Sequence, residues 1–336
     1  MTAKPYLWEK SPGVFYVRRK GRYFRITAEA GTEDFDRQYW NILKGHTPAR
    51  TSWRALVEAF RASDRWRELK PRTRADYDKC FAYIVDLNGD RDVARFTARD
   101  VVVMLDKNTH RVRFGNYVAS VLSVLCEFAR VDLGWLKVNP AKGIRKRRVP
   151  EERKAPHLVP DDAAVAKWRA EALPLPRLIF ELGVGTVQRP GDLGRFRWGD
   201  YDGESLRLVQ GKTGKPLRLP VTPELKAALD VASWRDATER GLPTVADPIL
   251  VGPDGAPMKY RYMAALMLAE RRRLGLERAF DLHGLRFRGV QELAWAGCSD
   301  EEIEAYSGHA SKAMVRHYAG EARQIMRARS AAEKRG

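Results

Sequence analysis

The stretch from Thr51 to residue 137 constrains the fold most, because helical periodicity runs through it almost without a break. Apolar side chains recur there at intervals of three and four residues, and Thr51 is the predicted N-cap of the first helix. Thr97 and Asp100 have the spacing of a capping box at the start of a later helix. Four such segments with short connections predict an α-helical bundle over residues 50–138.

Residues 1–46 predict a small separate module. Residues 14–27 alternate aromatic and aliphatic side chains around an Arg-Lys-Gly-Arg turn, which indicates a β-hairpin. Residues 34–45 then have helical spacing and stop at Gly45. Two roles are open. The basic side chains Arg18, Arg19, Lys20 and Arg22 contact an anionic partner, or the hairpin is a structural cap packed on the bundle through Phe15, Tyr23 and Trp40.

Residues 139–159 are predicted to form a basic linker. Seven basic and two acidic residues fall between positions 142 and 154, and prolines bracket the run. Such a run is either a solvated connection or a segment that crosses a phosphate backbone.

The remaining chain, residues 160–336, mixes helices with a few strands. Strand-like residues 204–210 and 216–221 flank the turn GKTG, and residues 248–251 are a candidate third strand. Helices are predicted at about 161–172, 175–186, 258–275, 283–296, 300–307 and 311–318. The predicted fold class is therefore mainly α with a small antiparallel β component, an α+β arrangement.

Charge and composition narrow the possible partners. The chain has 61 Lys and Arg against 43 Asp and Glu, a formal net charge of +18, and such a field suits a polyanion. No stretch approaches 18 consecutive apolar residues, so no membrane partner is expected. The three cysteines, at positions 80, 126 and 298, are widely spaced and predict free thiols in a reducing compartment. We therefore expect a cytoplasmic protein.

Six residues of the second half together fit one chemistry, although each alone has an ordinary structural explanation. They are Arg189, Lys212, His283, Arg286, His309 and Tyr318. The two arginines supply planar forks that match the non-bridging oxygens of a phosphodiester. Tyrosine oxygen can attack phosphorus if a base such as His283 or a cationic site assists it.

The other two groups complete the reaction. His309 is a candidate hydrogen-bond donor to the phosphate, and Lys212 at the tip of the β-hairpin can protonate the leaving oxygen. Asp192 is expected to bond either Arg189 or a backbone amide. Because cationic side chains already surround the phosphate, no metal ion and no cofactor is expected.

The order and spacing of these residues resemble the tyrosine recombinases of the phage integrase family. The family patterns are T-x-x-R-x-x-[DE]-L, a hairpin lysine, H-x-x-R, and G-H followed nine residues later by tyrosine. They match here as Thr186, Arg189, Asp192 and Leu193, then Lys212, His283 with Arg286, and Gly308-His309 with Tyr318. The sequence departs from the family at Pro190-Gly191, at Ser307 in place of leucine, and at Phe287-Arg288.

The resemblance implies a site-specific recombinase that cleaves double-stranded DNA at attachment sites through a 3′-phosphotyrosyl link. In domain terms it implies an arm-type DNA-binding module over residues 1–46, a core-binding DNA domain over 50–138 and the catalytic domain over 160–336. It also implies self-assembly to a tetramer on DNA, an accessory DNA-bending or directionality factor, and a location on the bacterial nucleoid during reaction. The tail after Tyr318 has an apolar-then-basic helical pattern that could dock on a neighbour. Two alternatives stay open: a DNA-relaxing enzyme of the type IB topoisomerase class, and a non-catalytic DNA-binding regulator derived from a recombinase.

Overall fold

The chain forms two compact units in the computed structural model, Met1–Lys154 and Ala155–Gly336. The structure describes residues 4–45, 50–154, 157–240, 243–309 and 311–335, without the side chains of residues 234–240 and 321. Helices dominate both units and two small antiparallel sheets accompany them, so the predicted fold class is confirmed.

The N-terminal module is a three-stranded antiparallel sheet with one helix packed against it. The strands are β1 (Leu7–Ser11), β2 (Val14–Arg19) and β3 (Arg22–Arg25), and the helix is α1 (Glu33–Lys44). Lys20 and Gly21 both have positive φ, 45° and 73°, as the tight turn between β2 and β3 requires. The predicted hairpin is thus present, and β1 adds a strand that was not predicted.

The core of this module is its own. Val17, Ile26, Phe35, Tyr39 and Ile42 are buried together between the sheet and α1. Gly45 ends α1 in the left-handed region at φ 89°, as predicted.

The aromatic residues proposed for a cap are placed differently. Phe15 packs edge-on against Phe35 inside the module, with ring centroids 5.1 Å apart. Tyr23 and Trp40 are 55% and 49% exposed. The prediction that Tyr23 and Trp40 pack this segment onto the bundle was therefore wrong.

The helical bundle fills the rest of the first unit. Its helices are α2 (Trp53–Ala62), α3 (Asp64–Arg67), α4 (Pro71–Asn88), α5 (Ala98–Lys107) and α6 (Val112–Val131). The capping box of Thr97 and Asp100 is present at α5. The N-cap of α2 is Ser52 rather than the predicted Thr51, whose hydroxyl instead bonds the carboxylate of Asp92 at 2.7 Å.

The first part of the basic segment is bound to this bundle. The side-chain amide of Asn116 donates to the carbonyl of Arg147 and accepts from its amide, at 2.8 and 2.9 Å. The Arg147 guanidinium also pairs with Asp106 at 2.5 Å. Residues as far as Lys154 therefore belong to the first unit.

The second unit is built around a buried helix. Its elements are α7 (Asp162–Glu171), α8 (Pro174–Thr186), α9 (Pro190–Leu193), β4 (Ser205–Val209), β5 (Pro216–Pro220), α10 (Pro223–Arg240), α11 (Tyr260–Arg273), α12 (Leu282–Trp295), α13 (Asp300–Ser307) and α14 (Lys312–Arg335). Every residue of α8 from Leu178 to Thr186 is buried. Helices α10, α11 and α12 pack around it.

Two predictions about this unit were wrong. Residues 248–251 form only isolated bridges, Arg197 with Pro248 and Val251 with Pro257, and the sheet of β4 and β5 has two strands in the described chain. The helix predicted to end at Tyr318 continues through the tail to Arg335. The apolar-then-basic pattern of the tail is thus part of α14.

Two glycines allow α8 and α12 to approach closely. A Cβ on Gly183 would lie 2.8 Å from the side chain of Leu285, and a Cβ on Gly289 would meet the backbone of Val184. A larger residue at either position would force the helices apart. This packing sets the beginning of α12 beside the loop that follows α8.

No helix in the described parts of the chain is long and apolar enough to cross a membrane.

Candidate active site

The predicted site residues lie at the ends of elements of the second unit. Arg189 follows α8, Lys212 is in the loop between β4 and β5, and His309 follows α13. His283 and Arg286 are in the first turns of α12, and Tyr318 is on α14.

The structure brings Tyr318 against the two histidines and one arginine. Its hydroxyl lies 3.1 Å from Nε2 of His283. Its ring is 4.7 Å from the ring of His309 and 5.9 Å from the guanidinium carbon of Arg286. Arg189 is near enough to lower the pKa of His283, Arg286 and His309 by charge repulsion. Lys212 is carried separately, by the loop between β4 and β5.

Arg286 is held by backbone carbonyl groups and not by an ion pair with a described carboxylate. It is 1% exposed, and its Nη1 and Nη2 donate to the carbonyls of Val187 and Ser307 at 2.7 and 3.2 Å. Burial, and then the charge of Arg189, lower its pKa to about 10. The fork is therefore positioned by the backbone before any ligand arrives.

Val187 has the strained backbone of this region. Its φ of 56° and ψ of 27° are in the left-handed region, which a β-branched residue rarely adopts. Its carbonyl accepts a hydrogen bond from Arg286 Nη1. Two residues later, at Arg189, the backbone is extended. Pro190 begins the short helix α9, a position that suits proline, so the Pro190-Gly191 departure leaves a regular backbone.

Three buried side-chain nitrogens in this region have no hydrogen-bond partner among the described residues. They are Nη1 of Arg189, Nε of Arg286 and Nε2 of His309. Buried polar groups are almost always hydrogen-bonded, because an unpaired one loses its hydration without replacement. A ligand rich in acceptors and carrying negative charge would complete all three.

His283 and His309 are both neutral near pH 7. Burial first, and then the charges of His157 and Arg286, lower the pKa of His283 to about 4. Burial and the charges of Arg286 and Arg189 lower the pKa of His309 to about 3. A neutral His283 can accept the proton of the Tyr318 hydroxyl through Nε2.

Ser307 fixes the proton arrangement on His309. Its hydroxyl donates to the carbonyl of Ile303 at 2.5 Å, so the Nδ1–H of His309 donates to Oγ at 2.6 Å. In neutral His309 the other nitrogen, Nε2, is then an acceptor. His309 can therefore donate to a phosphate only as an imidazolium, which a bound anion favours.

Asp192 bonds a backbone amide, one of the two predicted alternatives. Its Oδ1 accepts from the amide of Gly211 at 2.8 Å and lies 4.0 Å from Nη1 of Arg195. The bond ties the segment after Arg189 to the loop that carries Lys212.

Sequence patterns gave no sign of His157 as a member of the site. Its ring lies 4.3 Å from that of His283, and its Nδ1 bonds Asp281 at 3.0 Å. Asp281 also caps α12 by accepting from the amides of His283 and Gly284. His157 is more than 120 positions from these residues and falls in the segment predicted as a linker, so spacing could not reveal it.

Phe287 and Arg288 have different roles. The Phe287 ring lies 4.0 Å from the Tyr318 ring and supports it. Arg288 is buried but fully paired, with Asp162 at 2.6 Å and Glu292 at 2.8 Å. Only Phe287 touches the site.

No three His, Cys, Asp or Glu side chains in the described residues form a group that could hold a metal ion.

The three cysteines are free thiols in the described parts of the chain. Burial raises the pKa of Cys80 to about 11 and that of Cys126 to about 12.

The fold and these residues define a class of protein. Residues 167–324, which contain all six predicted site residues, match the model of the phage integrase family. Residues 167–324 of the second unit are thus similar to the phage integrase domain of the tyrosine recombinases.

Integrases of known phages are similar over most of the chain. The integrase of Escherichia phage HK022 is 25% identical over 260 residues, which cover 75% of this chain and 71% of that protein. The integrase of Enterobacteria phage 434 is 25% identical over 274 residues, with 80% and 74% covered.

Solved integrase structures share the fold. A dimer of a lambda integrase fragment bound to a COC′ core site has a TM-score of 0.64 at 24% identity, covering 80% of this chain and 94% of that one. A lambda integrase tetramer bound to a Holliday junction has a TM-score of 0.62 at 19% identity, covering 93% and 97%. The Tn1549 transposon integrase with circular intermediate DNA has a TM-score of 0.64 at 13% identity, covering 80% and 95%.

Proposed function

We propose that this protein is a site-specific DNA integrase that cleaves and rejoins double-stranded DNA through Tyr318. The observation that carries the proposal is the group of three buried, unpartnered nitrogens, two from arginines and one from His309, around a tyrosine whose hydroxyl contacts a neutral histidine. The phage integrase domain and the net charge of +18 support the same conclusion.

The first step forms a covalent link to DNA. The scissile phosphate receives hydrogen bonds from Arg189 Nη1, Arg286 Nε and protonated His309 Nε2. The oxygen of Tyr318 attacks phosphorus while its proton moves to His283 Nε2. Each donor aimed at the developing charge can contribute about 3–4 kcal/mol to transition-state stabilisation.

The bond from phosphorus to the 5′ oxygen then breaks. Lys212 on the β4–β5 loop gives its proton to that leaving oxygen, and a 3′-phosphotyrosyl link remains. Attack by a 5′ hydroxyl of another strand reverses these steps and joins the new partners. The phosphodiester energy is conserved in the tyrosyl link, so no nucleotide cofactor is needed.

The proposed substrates are two attachment sites brought together by four protomers, in the cytoplasm and on the nucleoid. The solved relatives include a dimer on a core site and a tetramer on a Holliday junction, which supports this arrangement. An accessory DNA-bending or directionality protein would then choose between integration and excision. Relaxation of DNA by a topoisomerase-like activity is the main alternative.

The N-terminal module is proposed to bind a second, flanking DNA sequence. Cross-strand pairing puts Trp8 opposite Tyr16, Tyr16 opposite Arg25, and Arg18 opposite Tyr23, so these five side chains share one face of the sheet. The opposite face holds the buried Val17 and packs on α1. An open face of basic and aromatic side chains suits phosphate and sugar contacts.

A covalent-capture experiment identifies a DNA sequence that the protein cleaves and tests the proposal. A library of randomised suicide duplexes is incubated with the full chain, and the SDS-resistant adducts are sequenced. Two duplexes carrying the selected sequence should then exchange strands and yield recombinant products. Chelator should not prevent this, because the side chains supply the positive charge. Relaxed circles without recombinant products would favour the topoisomerase alternative and contradict the integrase.

A further inference from the structure

The side chain of Gln210 connects three loops of the active site. Gln210 follows β4 and is 1% exposed. Its Nε2 donates to Oε1 of Gln188 at 2.6 Å and to the carbonyl of Ser307 at 3.0 Å. Its Oε1 accepts from the hydroxyl of Thr213 at 2.7 Å. Both amide hydrogens and the amide oxygen are therefore paired, and we name this set of bonds the Gln210 bridge.

Each partner in the Gln210 bridge lies one or two residues along the chain from a proposed catalytic residue. Gln188 precedes Arg189, and its own Nε2 donates to the carbonyl of Thr186 at 2.8 Å, which fixes its orientation. Ser307 is two residues before His309, and its carbonyl also accepts from Arg286. Thr213 follows Lys212 in the β4–β5 loop. One buried amide thus contacts the three loops that carry Arg189, Lys212 and His309.

The backbone leaves room for this amide at one glycine. Gly308 has a φ of 64°, and a Cβ at this position would lie 2.5 Å from Nε2 of Gln210. Any other residue would displace the Gln210 bridge. The bond from Gly211 to Asp192 fixes the same loop a second time, on the other side of Gln210.

These bonds matter for a lysine more than for the other site residues. A two-stranded hairpin is only marginally stable alone, and a lysine carries its ammonium group on a flexible four-carbon side chain. A proton donor must nevertheless lie within hydrogen-bond reach of the leaving oxygen. The base of the loop therefore has to be held in place for Lys212 to act.

We propose that Gln210 is a positioning residue that holds the β4–β5 loop against the Arg189 and His309 loops, so that Lys212 reaches the 5′ leaving oxygen. This inference rests on the proposed function. It makes Gln210 a determinant of the acid step only, distinct from the groups that hold the phosphate.

The test compares two substrates that differ in their need for an acid. One is the selected suicide duplex, and the other is the same duplex with a 5′-bridging phosphorothiolate, whose thiol leaving group needs no proton. Gln210→Met keeps the volume and removes the bonds, and Lys212→Ala marks a pure acid defect. Gln291→Met, at a buried glutamine of α12 outside the site, is the matched control.

We expect Gln210→Met to cleave the ordinary duplex about tenfold or more slowly, since buried hydrogen bonds are lost. On the phosphorothiolate it should come within about threefold of the wild type, as Lys212→Ala should. Thr213→Val, a milder change, should show the same pattern with a smaller defect. Equal impairment of Gln210→Met on both substrates, or no impairment on either, would overturn the proposal.

Hydrogen exchange on the DNA-free protein provides a second readout. Gln210→Met should raise amide exchange in residues 211–215 and leave α8 protected, whereas Gln291→Met should not. Unchanged exchange in that loop counts against the Gln210 bridge. If the wild type forms no adduct with any duplex, the proposed function fails, and the exchange result still decides whether Gln210 holds the loop.

Discussion

Buried Asn108 in the helical bundle and buried His309 in the second unit use polarity in opposite ways. Asn108 Nδ2 donates to the Tyr83 hydroxyl and to the Met104 carbonyl, both at 2.7 Å, and its Oδ1 accepts from Arg111. His309 is as deeply buried, yet its Nε2 has no partner. Complete pairing lets Asn108 stabilise the fold, whereas the open nitrogen of His309 costs stability until a ligand binds.

The difference belongs to the site rather than to the whole second unit. Glu181 in α8 is fully buried and receives two bonds from Arg169, at 2.9 and 3.1 Å. The unpaired nitrogens of Arg189, Arg286 and His309 thus lie together where the cations surround Tyr318. The other buried unpaired nitrogens of the described residues are the separate indole N–H groups of Trp53, Trp168 and Trp198. Such a distribution is expected of a binding site that trades stability for function.

The largest effect is expected from Arg286, one of the two buried arginines of α12. Its Nε has no partner among the described residues, whereas Arg288 pairs with two carboxylates. Arg286→Ala should slow adduct formation about a hundredfold or more, by loss of a donor to the phosphate. Arg286→Lys should rescue poorly, because a point charge cannot replace the fork. Single-turnover cleavage of the selected duplex measures both.

Arg288→Met is the matched control. Arg288 is two residues further along the same helix but bonds Asp162 and Glu292. Its loss should lower the melting temperature and leave the cleavage rate of the folded fraction within about threefold of the wild type. A cleavage defect as large as that of Arg286→Ala would contradict the assignment of the phosphate contact to Arg286 and of a purely structural role to Arg288.

A smaller effect is expected on stability as the pH changes. The folded pKa values of His309 and His283, about 3 and about 4, lie below the ordinary value of 6.5. Between these values the unfolded chain binds protons that the folded chain does not. Stability is therefore present above about pH 6.5 and is lost as the pH falls towards 4.

Urea unfolding of the DNA-free protein at several pH values checks this. His309→Gln should flatten the loss of stability between pH 6.5 and 4, whereas the same change at His110, exposed in the first unit, should not. If the free energy of unfolding falls equally steeply with pH in the wild type and in His309→Gln, His309 is not buried in its neutral form.

The smallest effect on cleavage is expected from the N-terminal module. Its aromatic and basic face is open, unlike its packed opposite face, so deletion of residues 1–45 should spare cleavage of a minimal core duplex. Binding to a longer natural attachment site should weaken, because a tethered module adds affinity only where its own site exists. Footprints of both proteins on that site measure the difference, and identical footprints would contradict the second DNA-binding role.

Local patterns in the sequence predicted much of the fold. The capping box at Thr97 and the stop at Gly45 depend on neighbouring residues and are present. Two predictions failed for nonlocal reasons: Ser52 forms an isolated bridge with Asp92 and caps α2, and residues 248–251 pair only singly. Contacts far apart along the chain decided these cases.

The candidate site shows the same limit. Motif spacing brought forward Tyr318, His283, Arg286 and His309, which lie together in the structure. The left-handed backbone conformation of Val187 could not be predicted from the sequence. Its explanation is the hydrogen bond that the Val187 carbonyl accepts from Arg286, a residue 99 positions further along the chain. His157 and Gln210 were missed for the same reason, since their partners are distant along the chain.

The central claim is that the unpaired cationic groups hold a phosphate for attack by Tyr318. The most direct measurement digests the SDS-resistant adduct with trypsin and nuclease and locates the attached nucleotide by mass spectrometry. The account predicts a phosphodiester on Tyr318 in the wild type, and no adduct from Tyr318→Phe although that variant binds the duplex with nearly unchanged affinity. A nucleotide on another residue, or an adduct that persists in Tyr318→Phe, would contradict it.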